Sequence, residues 1–345
     1  MKEILHFKVY RADARINENR GITIRLFYPR NPELITKRIK ENLSFGIEAF
    51  ERLIKERYSK IADNQNPIKP AAAGSLYLLE DNRIICHRRD RFAPTHKLYH
   101  SAYSGFTQSR KGIYSAEGLI ETALRETAEE CLLITTERIP RLLVPNSSKE
   151  ETLKSAKRLG LNLEFLCFDT EVLEPQDTLE VYDENGKIIF SAKGFLDLIY
   201  ESQSSLNFLQ IRKIPFSSQE VLPVDAEFIE NRGKLIHLNR ESFIIDLKEL
   251  RGKPFGSVLN NPSVYQTKIE DGIPVPYSPA YAKPFLGPDA IEVESPHIWA
   301  PDNLLTRCLD ALGVEGYKGR WKEIELWKEK KKSDGKSLVP ESVLV

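Results

Sequence analysis

Apolar and polar residues alternate through EILHFKVYRADARI (residues 3–16) and again through GITIRLFY (21–28). A period of two predicts a pair of strands. Helical spacing then takes over in NPELITKRIKENLSFGIEAFERLIKERYSKI (31–61), where Asn31 and Pro32 suit an N-cap and a first turn. This β-β-α segment ends in the polar, proline-bearing stretch DNQNPIKPAAAG, which puts a boundary between residues 68 and 69.

Beyond the boundary, SLYLL and RIICHRR flank Glu80-Asp81-Asn82, the signature of a hairpin. Residues 90–115 carry turn formers and isolated aromatics, so a long loop is expected, with one short strand around Tyr99–Phe106. A helix follows from about Ala116 to Leu133, and ETLKSAKRL forms a shorter one. Later strands are expected in LNLEFLCFDTEVL, LEVYDENGKIIF (with Asn185-Gly186 as its turn), GFLDLIYES, LNFLQIRKIPF and KLIHL.

From Gly256 the character changes. Eight prolines lie between Pro262 and Pro301, interspersed with Tyr265, Tyr277, Tyr281, Phe285 and Trp299. An extended arm on the surface and a lid carrying aromatics to a substrate base both fit such a stretch. PDNLLTRCLDALG closes it as a helix, with Asp302 or Asn303 as cap and Gly313 as stop. The organisation expected is therefore residues 1–68 as a β-β-α segment, 69–255 as a central domain, and 256–345 as an extension with terminal helices.

The chemistry lies at the end of the helix that begins at Ala116. On a step of about 100° per residue, Glu126, Glu129 and Glu130 share one face, with Ile120, Leu124, Ala128 and Cys131 expected on the core side. A helix C-terminus carries partial negative charge and favours cations. Glu126 and Glu130 are moreover a like-charge i,i+4 pair, unfavourable by roughly 0.2–0.5 kcal/mol. Arg125 stands four residues from both Glu121 and Glu129, leaving Glu126 and Glu130 without a local cation. Carboxylates gathered in this way suit a hard divalent cation.

Glu117, seven intervening residues, then Arg125-Glu126-x-x-Glu129-Glu130 resembles the Nudix box, Gly-x5-Glu-x7-Arg-Glu-U-x-Glu-Glu-x-Gly-U, where U is aliphatic. The likeness is strong from Glu117 to Glu130 and diffuse elsewhere in 69–250. Hairpin, loop with a small-Gly turn (Ser104-Gly105-Phe106) and helix come in the family's order. Gly112 is separated from Glu117 by four residues instead of five, with Lys111 at the expected glycine position. Leu132 replaces the later glycine, and Thr127 stands at the aliphatic position.

The resemblance implies an α/β fold, a Nudix-like mixed sheet sandwiched between helices. It implies a pyrophosphohydrolase acting on phosphoric anhydride bonds, cleaving the diphosphate linkage of a nucleoside diphosphate derivative with Mg²⁺ or Mn²⁺. Glu126, Glu129 and Glu130 would hold the metal and Arg125 would organise them, with Glu129 as the first choice of general base and Glu130 beside it in catalysis. Glu117, Glu121 and Gly112 would support the box. Arg88 and Arg89, at a strand end, are weaker candidates for phosphate contact, and Glu220 or Glu227 for an extra ligand or base. The alternative is a catalytically degenerate Nudix-fold nucleotide sensor or regulatory protein.

Composition leaves this reading intact. The chain has 345 residues, 41% of them hydrophobic and 29% charged, and a formal net charge of zero, so no global field steers it to nucleic acid. The mixed-charge tail YKGRWKEIELWKEKKKSDGK reads as a solvated helix face. The N-terminus shows no apolar leader pattern and no stretch has membrane-spanning length, so a cytoplasmic protein is expected, with no membrane partner. Cys86, Cys131, Cys167 and Cys308 lack zinc-ligand spacing and are expected as reduced thiols. The partner expected is a small nucleotide substrate; nothing in the sequence fixes an oligomeric state.

Overall fold

The protein is described here by a computed structural model. It covers residues 11–16, 22–27, 69–88, 100–106, 116–173, 175, 177–182, 185–200, 204–231, 234–237, 241–254, 256–259, 262–265, 267–276 and 298–317. The helix expected in 31–61, Arg89, Gly112, the aromatics Tyr277, Tyr281 and Phe285, and the tail after Tyr317 lie outside these residues. The fold is mixed α/β, with mixed sheets and few helices. No helix among the described residues is long and apolar enough to cross a membrane.

The chain divides into two compact units, each discontinuous in sequence. The first comprises Met1–Ser75, Ser104–Glu126 and Val172–Ile211. Here the N-terminal strands Arg11–Ile16 and Ile22–Phe27 form an antiparallel ribbon, as their alternation predicts. Ile22–Phe27 also pairs in parallel with Asp177–Tyr182. The ribbon is thus continued by strands from much later in the chain. Asp177–Tyr182 pairs antiparallel with Ile188–Tyr200, and that strand with Ser204–Lys213. Residues 194–200 of GFLDLIYES are therefore the second half of one long strand that starts at Ile188, rather than a strand of their own. Phe195, Leu196, Phe208 and Leu209 are buried in this unit, and the buried Asp177 carboxylate accepts a hydrogen bond from the backbone N–H of Leu196, 3.0 Å away.

The second unit comprises Leu76–Tyr103, Thr127–Glu171 and Arg212–Val345. Its first layer is antiparallel: Arg83–Arg88 pairs with Ser242–Asp246, which pairs with Ser263–Tyr265. The predicted hairpin is present, with Tyr77 and Leu78 opposite Ile85 and Ile84 and Asn82 at φ 56° in the turn. Its second layer is a four-stranded sheet in the order Val221–Asp225, Cys131–Thr135, Leu142–Pro145, Phe165–Phe168, the last pair parallel.

Every residue of Cys131–Thr135 is buried. Alternate side chains explain how. Cys131 and Leu133 join Tyr77, Ile85, Leu143 and Ile244 in the core between the two layers. Leu132 and Ile134 join Val144, Val224, Ala156 and Leu159 on the other face. A strand covered on both sides reads as a continuous apolar run and not as an alternation.

The described residues include the helices α1 (Ala116–Glu130), α2 (Lys149–Arg158) and α3 (Asn303–Ala311). The expected cap of α3 is realised: the Asp302 carboxylate accepts from the N–H of Leu305 at 2.8 Å, and Gly313 follows the helix at φ 71°. In the proline-rich stretch Trp299 is fully buried and donates to the Tyr317 hydroxyl at 2.5 Å. That indole is a core side chain and offers no face for a nucleotide base. The cysteines are free, as expected, and Cys86, Cys131 and Cys308 are buried.

Candidate functional site

Helix α1 ends at Glu130 and the chain passes directly into the strand Cys131–Thr135, three residues earlier than the apolar pattern of LL suggests. The Glu130 carbonyl accepts from the N–H of Ala226 at 3.0 Å, so strand pairing takes over where the helix stops. Leu132 therefore occupies a fully covered sheet position opposite Val224. Where the Nudix-box pattern has its second glycine, the chain runs on as a strand and makes no turn.

The burial of α1 bears out part of the expected core side, since Ala128 and Cys131 are buried, and corrects the rest. Leu119, Thr122, Ala123, Thr127 and Ala128 are buried, whereas Ile120 and Leu124 are only partly covered. On the helical wheel Leu119, Thr122, Ala123 and Thr127 form a stripe that includes positions 126 and 130, with Ala128 on the opposite side. Accordingly, the Glu126 side chain is 12% exposed and Glu130 is 9% exposed. The acids share the inward side of the helix instead of opposing it. A buried carboxylate is costly unless cations or hydrogen bonds compensate it, which sharpens the charge problem seen in the sequence.

Two arginines answer part of it. Arg125 forms an ion pair with Glu126, its neighbour, while Glu121 is exposed. Arg158, the last residue of α2, brings Nη1 to 3.8 Å from Oε1 of Glu129. As these side chains lie, no group of three or more His, Cys, Asp or Glu among the described residues stands close enough to hold a metal ion. Glu117 lies in the first turn of α1.

The Glu126 carboxylate has a second neighbour that the sequence marked only as a turn. Ser104-Gly105-Phe106 belongs to the strand Tyr103–Phe106, and a Cβ built on Gly105 would overlap the carboxylate of Glu126. The missing side chain at 105 is what lets the acid lie against the backbone. A carboxylate so held at bare main chain is a hard oxygen donor of the kind that Mg²⁺ or Mn²⁺ prefers.

The weaker candidates separate clearly. Arg88 is buried, its Nη1 3.0 Å from Oε2 of Glu241, a contact of charges whose angle is not that of a hydrogen bond. That acid lies with it inside the second unit. Glu220 is exposed and accepts from both the backbone N–H and the hydroxyl of Ser217, at 2.8 and 2.7 Å. These two bonds hold its carboxyl below the ordinary glutamate range. It closes a turn. Glu227 is half-buried and follows Ala226, the residue bonded to Glu130, so its backbone runs beside the end of the box.

Arg158 and Asp225 are not marked by the sequence, and Gly105 is marked only as part of a turn. Asp225 is buried opposite Cys131 and accepts from the N–H of Glu227 at 3.1 Å. The small-Gly pair before the helix was the available signal for Gly105. Nothing local in ETLKSAKRL pointed to Arg158, because its partner is brought to it by tertiary packing. No protein-family model matches the chain, and no curated protein matches it.

Proposed function

We propose that the protein is a divalent-metal-dependent hydrolase of the Nudix type, cleaving the diphosphate linkage of a nucleoside diphosphate derivative. The observation that carries the reading is the burial of Glu126 and Glu130 on α1, with Glu126 laid against the bare backbone of Gly105. Glu126, Glu129 and Glu130 would hold Mg²⁺, or Mn²⁺. When bound, the ion supplies neutralisation of phosphoryl charge and acidifies water.

The remaining work falls to the chain itself. Arg125 fixes the rotamer of Glu126 and partly offsets its burial. Glu129, the most exposed of the three, is the carboxylate best able to take a proton from water. Glu130 is held at the junction of α1 with the sheet, where its backbone cannot drift.

The test is hydrolysis of a panel of nucleoside triphosphates, ADP-ribose, dinucleotides, coenzyme A and capped RNA, with and without Mg²⁺. Expected is metal-dependent release of phosphate-bearing products, lost in Glu130→Gln while the thermal midpoint stays within a few degrees. A Glu130→Gln protein as active as the parent would overturn the assignment.

A second reading is favoured by the ion pairs themselves. With Glu126 on Arg125 and Glu129 beside Arg158, the fold could bind nucleotide without turning it over, as a sensor. Calorimetric nucleotide binding with no product across several divalent ions would select it.

A further inference from the structure

We infer that Arg158 is a tethered counter-cation to Glu129, competing with the divalent ion for that carboxylate and thereby setting the affinity with which the ion is held. The inference rests on the reading above, in which Glu129 is a metal ligand.

The position of Arg158 is built in. Ala156 and Leu159 pack with Leu132 and Ile134, residues of the strand that continues α1. The core that seats the last turn of α2 is therefore the same core that fixes the chain just after Glu129 and Glu130. At 3.8 Å the pair is an ion pair without hydrogen-bond contact, and the side chains keep 33% and 20% exposure. It is loose enough to exchange. Arg158 also ends its own helix, where the dipole favours a cation, so it retains a favourable place when Glu129 turns to an ion.

The electrostatic sign is unambiguous. A monovalent cation beside the carboxylate lowers its availability and repels an incoming divalent cation. Removing that charge tightens metal binding, whereas a purely structural role for Arg158 would leave binding unchanged or weaken it. Lys157, adjacent and exposed, carries the same charge without the contact and is the natural control.

Mn²⁺ titration of the full chain, with free ion followed by electron paramagnetic resonance, reads this without any turnover. Expected is an affinity about three- to tenfold tighter in Arg158→Gln, a gain that shrinks as added salt screens the partly exposed pair. Arg158→Lys and Lys157→Gln should bind as the parent does. Arg158→Gln binding equally or more weakly overturns the role of Arg158 alone, as does an equal gain in Lys157→Gln, which would mark a general charge effect. Absence of Mn²⁺ binding in every variant overturns the metal reading and this inference together.

Discussion

Gly105 and Glu126 are matched across the step from strand to helix: the carboxylate occupies the space that a side chain at 105 would fill. The clash that a methyl group would create is with the far end of a flexible side chain. Gly105→Ala should therefore cost little stability, and a Gly-to-Ala change at a tolerant site can stabilise by about 0.4–1 kcal/mol. The acid, however, must move. The expected outcome is a thermal midpoint within a few degrees of the parent and Mn²⁺ affinity weakened several-fold. Unchanged affinity would show that the position of Glu126 against the backbone has no bearing on metal binding.

Placing at position 132 the glycine that the Nudix-box pattern carries there should harm the protein. Leu132 is 1% exposed, packs with Ile134, Val144 and Leu159, and pairs with Val224. Leu132→Gly empties a core site, at about 2–5 kcal/mol for removal of a buried leucine side chain. It adds the backbone-entropy cost of glycine in a strand, about 0.5–1 kcal/mol. Urea denaturation should show a lower midpoint with a similar slope.

Glu220 should titrate low. Its carboxylate gains two hydrogen bonds from Ser217 on folding, so its folded pKa lies below the unfolded value of about 4.3. For a depressed acid, the stabilisation is fully present above the unfolded value and fades as pH falls through the folded one. Side-chain carbon NMR should find the midpoint below the ordinary glutamate range. Ser217→Ala, which removes the hydroxyl donor, should raise it towards that range.

Asp302 carries the start of α3. Asp302→Ala removes the acceptor for the N–H of Leu305 and should cost about 0.5–2 kcal/mol. Asp302→Asn should recover most of that. Equal losses in both would assign the effect to charge rather than to the cap. Differential scanning calorimetry reads both.

Local chemistry made some elements legible in advance. The Asp302 cap, the stop at Gly313 and the turn at Glu80-Asp81-Asn82 each depend on a residue type whose conformational preference is intrinsic. What escaped was set by packing. Cys131-Leu132-Leu133-Ile134 continues the apolar content of α1, and only the covering of both its faces makes it a strand. Ser242–Asp246 and Leu142–Pro145 are wholly or largely buried for the same reason, and neither alternates. At the site, the wheel grouped the acids on one side, but their burial and the pairing of Glu129 with Arg158 came from tertiary structure. A contact such as Arg158 with Glu129 leaves no trace in spacing along either segment.

The seamless passage from α1 into the sheet has a mechanical consequence. No intervening residue can act as a pivot, since the Glu130 carbonyl is already tied to Ala226 and the next residue is already paired with Asp225. Whatever reorganisation an ion demands at the end of this helix must be absorbed by rotating glutamate side chains, with the main chain serving as a fixed bench. Amide exchange through residues 131–135 should consequently be as slow with a divalent ion present as without it.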